Sequence, residues 1–189
     1  MTVFSRKLAY CAFCLLLAAA GWAQEHRSDA LTPDEVDQIR DAAQEPVDRL
    51  KLYIQFARVR LDAAEKSRTD LQVKDHAQAI HDRLHDFLDI YDELDQNVDT
   101  YADRQDDLRK ALKAVIEADT EFQSRLRALQ APASATPQEM SAYQFVLATA
   151  LNAVDDGAQD HRQLLAEQDE AAKHKKKKEK NSGGEDLPD

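Results

Sequence analysis

The sequence predicts an all-α protein: an elongated antiparallel coiled-coil or helical bundle of three long helices. Three observations carry that reading. No proline or glycine occurs between Val47 and Gln130, which suits long helices and not strands joined by tight turns. Apolar residues recur by threes and fours through the same stretch. Two Thr-Pro-x-Glu boxes, Thr32–Glu35 and Thr136–Glu139, have the form of helix starts, with a capping threonine, proline at the first helical position and a glutamate able to bond back.

The first helix is expected over about 33–66, with Val36, Ile39, Ala43, Val47, Leu50, Ile54, Ala57, Leu61 and Ala64 on one stripe. Pro46 should kink or restart it. The second is expected over about 70–130. From Val73 through Ile80, Phe87, Tyr91, Val98, Leu108, Val115, Phe122 and Leu129 the 4-3 alternation is unbroken, and only Gln105 and Asp119 are polar on it. Such a seam marks helices that pack along their length. A continuous helix would span roughly 90 Å; the alternative is a turn near 97–100 and a four-helix bundle. The surviving phase favours the long helix.

After the loop-like stretch from Ala131 to Pro137, a third helix is expected over about 137–172, with Gly157 loosening its middle. The composition of 173–189, rich in lysine, glycine and acid, predicts a disordered tail. The bundle domain is thus expected over 32–172, preceded by a short flexible lead at 24–31.

At the N-terminus, Arg6 and Lys7 precede an apolar run from Leu8 to Ala20, with small residues at Gly21 and Ala23. About 13 residues fall short of the roughly 20 needed to span a bilayer, so 1–23 reads as a cleaved secretory signal peptide and the mature chain as periplasmic or secreted. Both cysteines, Cys11 and Cys14, and Trp22 would leave with it. The mature chain then has no thiol for a disulfide, metal site or nucleophile. Its 23 Lys and Arg against 36 Asp and Glu give −13, which disfavours nucleic acid as a partner.

The carboxylates of Asp82, Asp86, Asp89, Asp92, Glu93, Asp95, Asp99 and Asp103 fall off the seam, as the solvated side of an amphipathic helix requires. The sharpest metal candidate is His81 with His85 one turn on and Asp89 a further turn along, His76 lying nearby. Imidazoles at i and i+4 can share zinc or copper, but these sit on the flank and back of the seam, where two solvated histidines are the expectation. His161 falls on the apolar stripe of the last helix and is expected to be hydrogen-bonded within the packing. Asp119 is expected near a helix end or a solvent gap. No catalytic residue and no cofactor are expected.

Leu31–Glu35 is similar to the Leu-Thr-x-x-Gln motif of small helical periplasmic chaperones of the extracytoplasmic stress response, with Glu35 in place of the glutamine and Ala135 where the second box would carry leucine. The resemblance covers five residues, which helix capping also explains; it implies a chaperone or stress-response binder. Together these features predict a non-enzymatic, exported, acidic helical protein that works as a structural or protein-interaction module. It would meet a protein partner or its own copies through helix surfaces, have no integral membrane segment after signal cleavage, and carry a basic run, His174–Lys180, able to contact anionic surfaces.

Overall fold

The computed structural model describes residues 29–130 and 136–182, with the side chains of 178–182 left aside. The expected signal peptide, most of the lead, the Ala131–Ala135 loop and the last seven residues lie outside the described residues. Among those described there is no strand, and the fold is all-α.

Five helices follow one another: α1 Pro33–Asp41, α2 Pro46–Ser67, α3 His76–Asp103, α4 Arg109–Gln130 and α5 Pro137–Ser182. Both capping boxes form as the sequence predicts. The Thr32 amide donates to Glu35 and the Glu35 amide to the Thr32 hydroxyl, at 2.8 and 3.3 Å, and Thr136 and Glu139 repeat the pair at the same distances. Pro46 restarts the chain as α2 after the break at 42–45, because its ring cannot sit within a helix but suits the first position. Asp75, whose carboxylate accepts from the Gln78 amide, sets the start of α3.

The expected single helix over 70–130 is two helices. The break falls at 104–108, past the 97–100 position considered as the alternative. It is a Schellman ending: the Gln105 amide donates to the Ala102 carbonyl and the Asp106 amide to the Tyr101 carbonyl, with Gln105 at φ 61°. Glycine is the usual residue there; a glutamine leaves no mark in composition. Gln105 therefore marks the turn and is exposed, and the remaining seam positions from Ala77 to Leu129 are buried. The heptad phase survives because each helix turns its own stripe to the same core, and nothing requires a turn to shift that phase.

Antiparallel α2 and α3 pack together, α3 packs beside α5, α5 beside α4, and α4 beside α2, so four helices enclose one core in the order α2–α3–α5–α4. Ion pairs fix the directions. Arg58 with Glu121, and Arg125 with Asp62 and Glu65, run α2 parallel to α4; Arg127–Asp155 and Arg109–Asp169 together run α4 antiparallel to α5. The backbones of α3 and α4, adjacent in sequence, face each other across the diagonal and meet through side chains. Phe87 and Phe122 pack edge-on with centroids 5.3 Å apart, and Tyr91 lies 6.4 Å from Phe122. Each such ring buried from water contributes about 1.5–3 kcal/mol.

α1 packs against α2, with Val36 also lining a surface hollow against Asp89, Ile90 and Glu93 of α3, and is held by Arg60. That guanidinium, 7% exposed, donates to the Ala30 carbonyl and to both Glu35 oxygens. Burial alone would raise the Glu35 carboxyl, but the Arg60 and Thr32 bonds hold it below its ordinary value.

α5 runs to Ser182, where order was expected to fade after Ala172. Lysine is a good helix former and a Glu170–Lys173 pair sits at the junction, so the backbone continues beyond the point where packing stops.

Candidate functional site

Two places gather side chains that can titrate or ligate. The first is the surface groove between the N-terminal parts of α3 and α5. Val73, Leu88 and Val146 line its apolar floor, and His81, Asp82, Arg83, His85 and Asp86 its polar wall. Phe145 stands at its edge, 85% exposed. The turn residue Leu71, 98% exposed, lies at the same end of the bundle.

His81 and His85 are both in this wall, their rings edge-on with centroids 6.2 Å apart. Each Nδ1 faces a carboxylate: Asp82 at 3.2 Å for His81 and Asp89 at 3.5 Å for His85. All three candidate residues are more than a third exposed. Among the described residues, no group of three or more His, Cys, Asp or Glu is arranged to hold a metal ion. His76 is drawn elsewhere, its Nδ1 bonded to the Ser67 carbonyl across the α2–α3 turn.

The second place is the interior, where α3, α4 and α5 meet. Asp119 is wholly buried in the middle of α4, not at a helix end or a solvent gap. Its Oδ1 accepts the Tyr91 hydroxyl at 2.9 Å and its Oδ2 accepts from His161 Nδ1, also at 2.9 Å. His161 is 1% exposed and bonded within the packing. Its Nε2 lies 3.3 Å from Asp95 Oδ1, close enough for an ion pair but misaligned for a hydrogen bond. Burial would depress the imidazole; the Asp119 and Asp95 carboxylates outweigh it and push His161 up to about 9. Burial and the Asp119 charge raise the Tyr91 phenol well above its ordinary value. Tyr91 therefore stands as a neutral phenol and His161 as an imidazolium at neutral pH.

Gly157 makes this geometry possible. A Cβ at that position would stand 2.5 Å from the Tyr91 oxygen, so only glycine lets α5 close over the phenol. The His–Asp pairing is that of an oriented general base, but Nε2 points at a carboxylate rather than at a hydroxyl or thiol to be activated. What the trio does is tie three helices at one buried point.

The predicted histidine was legible because His161 interrupts an apolar stripe, and Asp119 because it interrupts a heptad seam. Two residues were missed. Arg60 lies beside the α2 stripe and reads as an ordinary solvated cation. Gly157 reads as a weak point in a helix, since its reason is a ring 66 residues away. The chain matches no protein-family model, no curated protein and no solved structure at a significant level.

Proposed function

We propose that this protein is an exported, non-enzymatic four-helix bundle, periplasmic or secreted, that acts as a protein-interaction module through the groove between α3 and α5. The observation that carries the reading is Phe145. A phenylalanine exposed to 85% on a helix whose opposite side is buried contributes nothing to the core, while an aromatic at the lip of an apolar floor is what a binding anchor requires. With Arg83 paired to Asp86 at 3.1 Å, Asp82 leaves the wall one acid in excess, which favours a protein segment that carries an apolar side chain next to lysine or arginine.

The test is fluorescence anisotropy with two labelled amphipathic peptides of identical apolar pattern, one basic and one acidic. The basic peptide should bind in a salt-sensitive manner and lose at least about tenfold in affinity with Phe145→Ala, a typical loss for an aromatic anchor. Equal binding of both peptides, or an indifferent Phe145→Ala, removes the reading.

A second reading, a chaperone or stress-response binder, draws on Leu71 and Phe145 standing exposed at one end of the bundle. It requires suppression of aggregation of an unfolded client at near-stoichiometric ratio, lost in a Leu71→Ser, Phe145→Ser double variant. A third, weak divalent-metal binding through His81 and His85, is decided by zinc titration.

A further inference from the structure

Among the described residues, the last side-chain hydrogen bonds and ion pair that tie α5 to the rest of the bundle are those of Gln168 and Asp169. Gln168 bridges the Leu108 amide and the Asp106 carbonyl, and Asp169 faces Arg109 at 3.9 Å. Beyond them the helix continues alone for 13 residues, Glu170 to Ser182, a projection of about 20 Å.

Charge divides at the same place. Residues 29–169 hold 16 Lys and Arg against 30 Asp and Glu, a net −14; residues 170–182 hold six lysines against two glutamates, a net +4, and the seven residues that follow add three acids and no cation. Lys175, Lys176 and Lys177 are exposed, and the projecting stretch carries no apolar side chain larger than Ala171 and Ala172. Charge effects between exposed groups fade over about 8 Å at physiological salt. Lys175 to Lys177 stand about 9–12 Å along the helix beyond Asp169, a little over one screening length, so the acidic body cancels their charge only in part.

We propose that the projecting end of α5 is an electrostatic docking element for an anionic lipid bilayer, engaged tip-first, with the helical stand-off keeping the acidic bundle away from the like-charged surface. Charge complementarity commits the element to this occupant. Lys175, Lys176 and Lys177 step about 100° apart around the helix, and no apolar stripe is available for pairing with another helix or inserting into a groove. A flat, diffusely charged surface suits such an element, and lysines near an anionic leaflet add to binding one by one.

The experiment is co-sedimentation of the mature chain with vesicles of phosphatidylcholine alone and of phosphatidylcholine mixed with phosphatidylglycerol. Binding should appear only with phosphatidylglycerol and vanish at about 1 M salt, where the screening length is roughly 3 Å. The triple substitution Lys175→Gln, Lys176→Gln, Lys177→Gln should weaken it by about 100-fold, roughly fivefold for each lysine. His174→Pro keeps every lysine but interrupts the helix beyond the bundle contacts; it should weaken binding several-fold while the thermal midpoint stays that of the wild type. Absence of pelleting, equal pelleting with neutral vesicles, or a triple variant that binds like the wild type overturns the proposal. A salt-sensitive rise in solution mass that needs the same three lysines would assign the tip to a second copy instead. Wild-type binding by His174→Pro would overturn the stand-off.

Discussion

Replacing Asp119 by alanine strikes the point where three helices are tied. The carboxylate is wholly buried and accepts two hydrogen bonds at 2.9 Å, and its removal leaves the imidazolium of His161 and the hydroxyl of Tyr91 buried without that partner. Breaking a buried charged pair in this manner costs about 3–5 kcal/mol, a large part of the roughly 5–15 kcal/mol that holds a typical domain. At about 2–4 °C per kcal/mol for a chain of this size, the thermal midpoint should fall by roughly 6–20 °C. The pH dependence supplies an independent readout. His161 is raised from 6.5 to about 9 on folding, so its contribution is fully present below pH 6.5 and is lost as pH rises through 9. By linkage the rise is worth roughly 3 kcal/mol. Denaturant unfolding followed by circular dichroism between pH 6 and 10 should show that loss in the wild type and a flattened profile in Asp119→Ala, where Asp95 alone remains. A variant within about 0.5 kcal/mol of wild type, the range of a surface substitution, would refute the assignment of this trio as the tie.

Gly157→Ala should destabilise the bundle by about 1–3 kcal/mol in chemical unfolding, although alanine is the better helix former, because the new Cβ displaces the Tyr91 ring. Gln105→Gly should stabilise it by about 0.5–1 kcal/mol, relieving a non-glycine residue at φ 61°; a loss of stability would contradict the turn. Arg60→Ala should cost about 2–3 kcal/mol by leaving Glu35 without its cation and the Ala30 carbonyl without its donor, and limited proteolysis should then cut first within 29–45. Zinc calorimetry should show no site tighter than about micromolar, and any heat should disappear in His85→Ala, since His81 and His85 offer two exposed nitrogens and not a closed ligand set.

Periodicity announced the helices and most of the core, because burial of one stripe is a local property of a sequence: apart from Val73 and Gln105, every predicted seam residue from Ala77 to Leu129 is buried. The capping boxes were legible for the same reason, being contacts three residues apart. The turn at 104–108 was not, since a glutamine does there what glycine usually does, helped by Gln168 from a distant helix. Of the buried trio, the two polar interruptions could be found, but not their meeting. Tyr91, Asp119 and Gly157 converge only through the diagonal placement of α3 and α4, which no spacing encodes. Arg60 and the exposure of Phe145 were equally out of reach, because each depends on which side of a helix its neighbours leave uncovered.

The ring order α2–α3–α5–α4 also governs when the protein can become itself. With α3 and α4 set diagonally, the apolar core between them is covered by Tyr143, Leu147, Ala150 and Val154, all from α5, which follows the other four helices in the chain. A nascent chain lacking α5 holds an open trough, so the cooperative step waits for that helix. Such late closure keeps the fold open until α5 has been made.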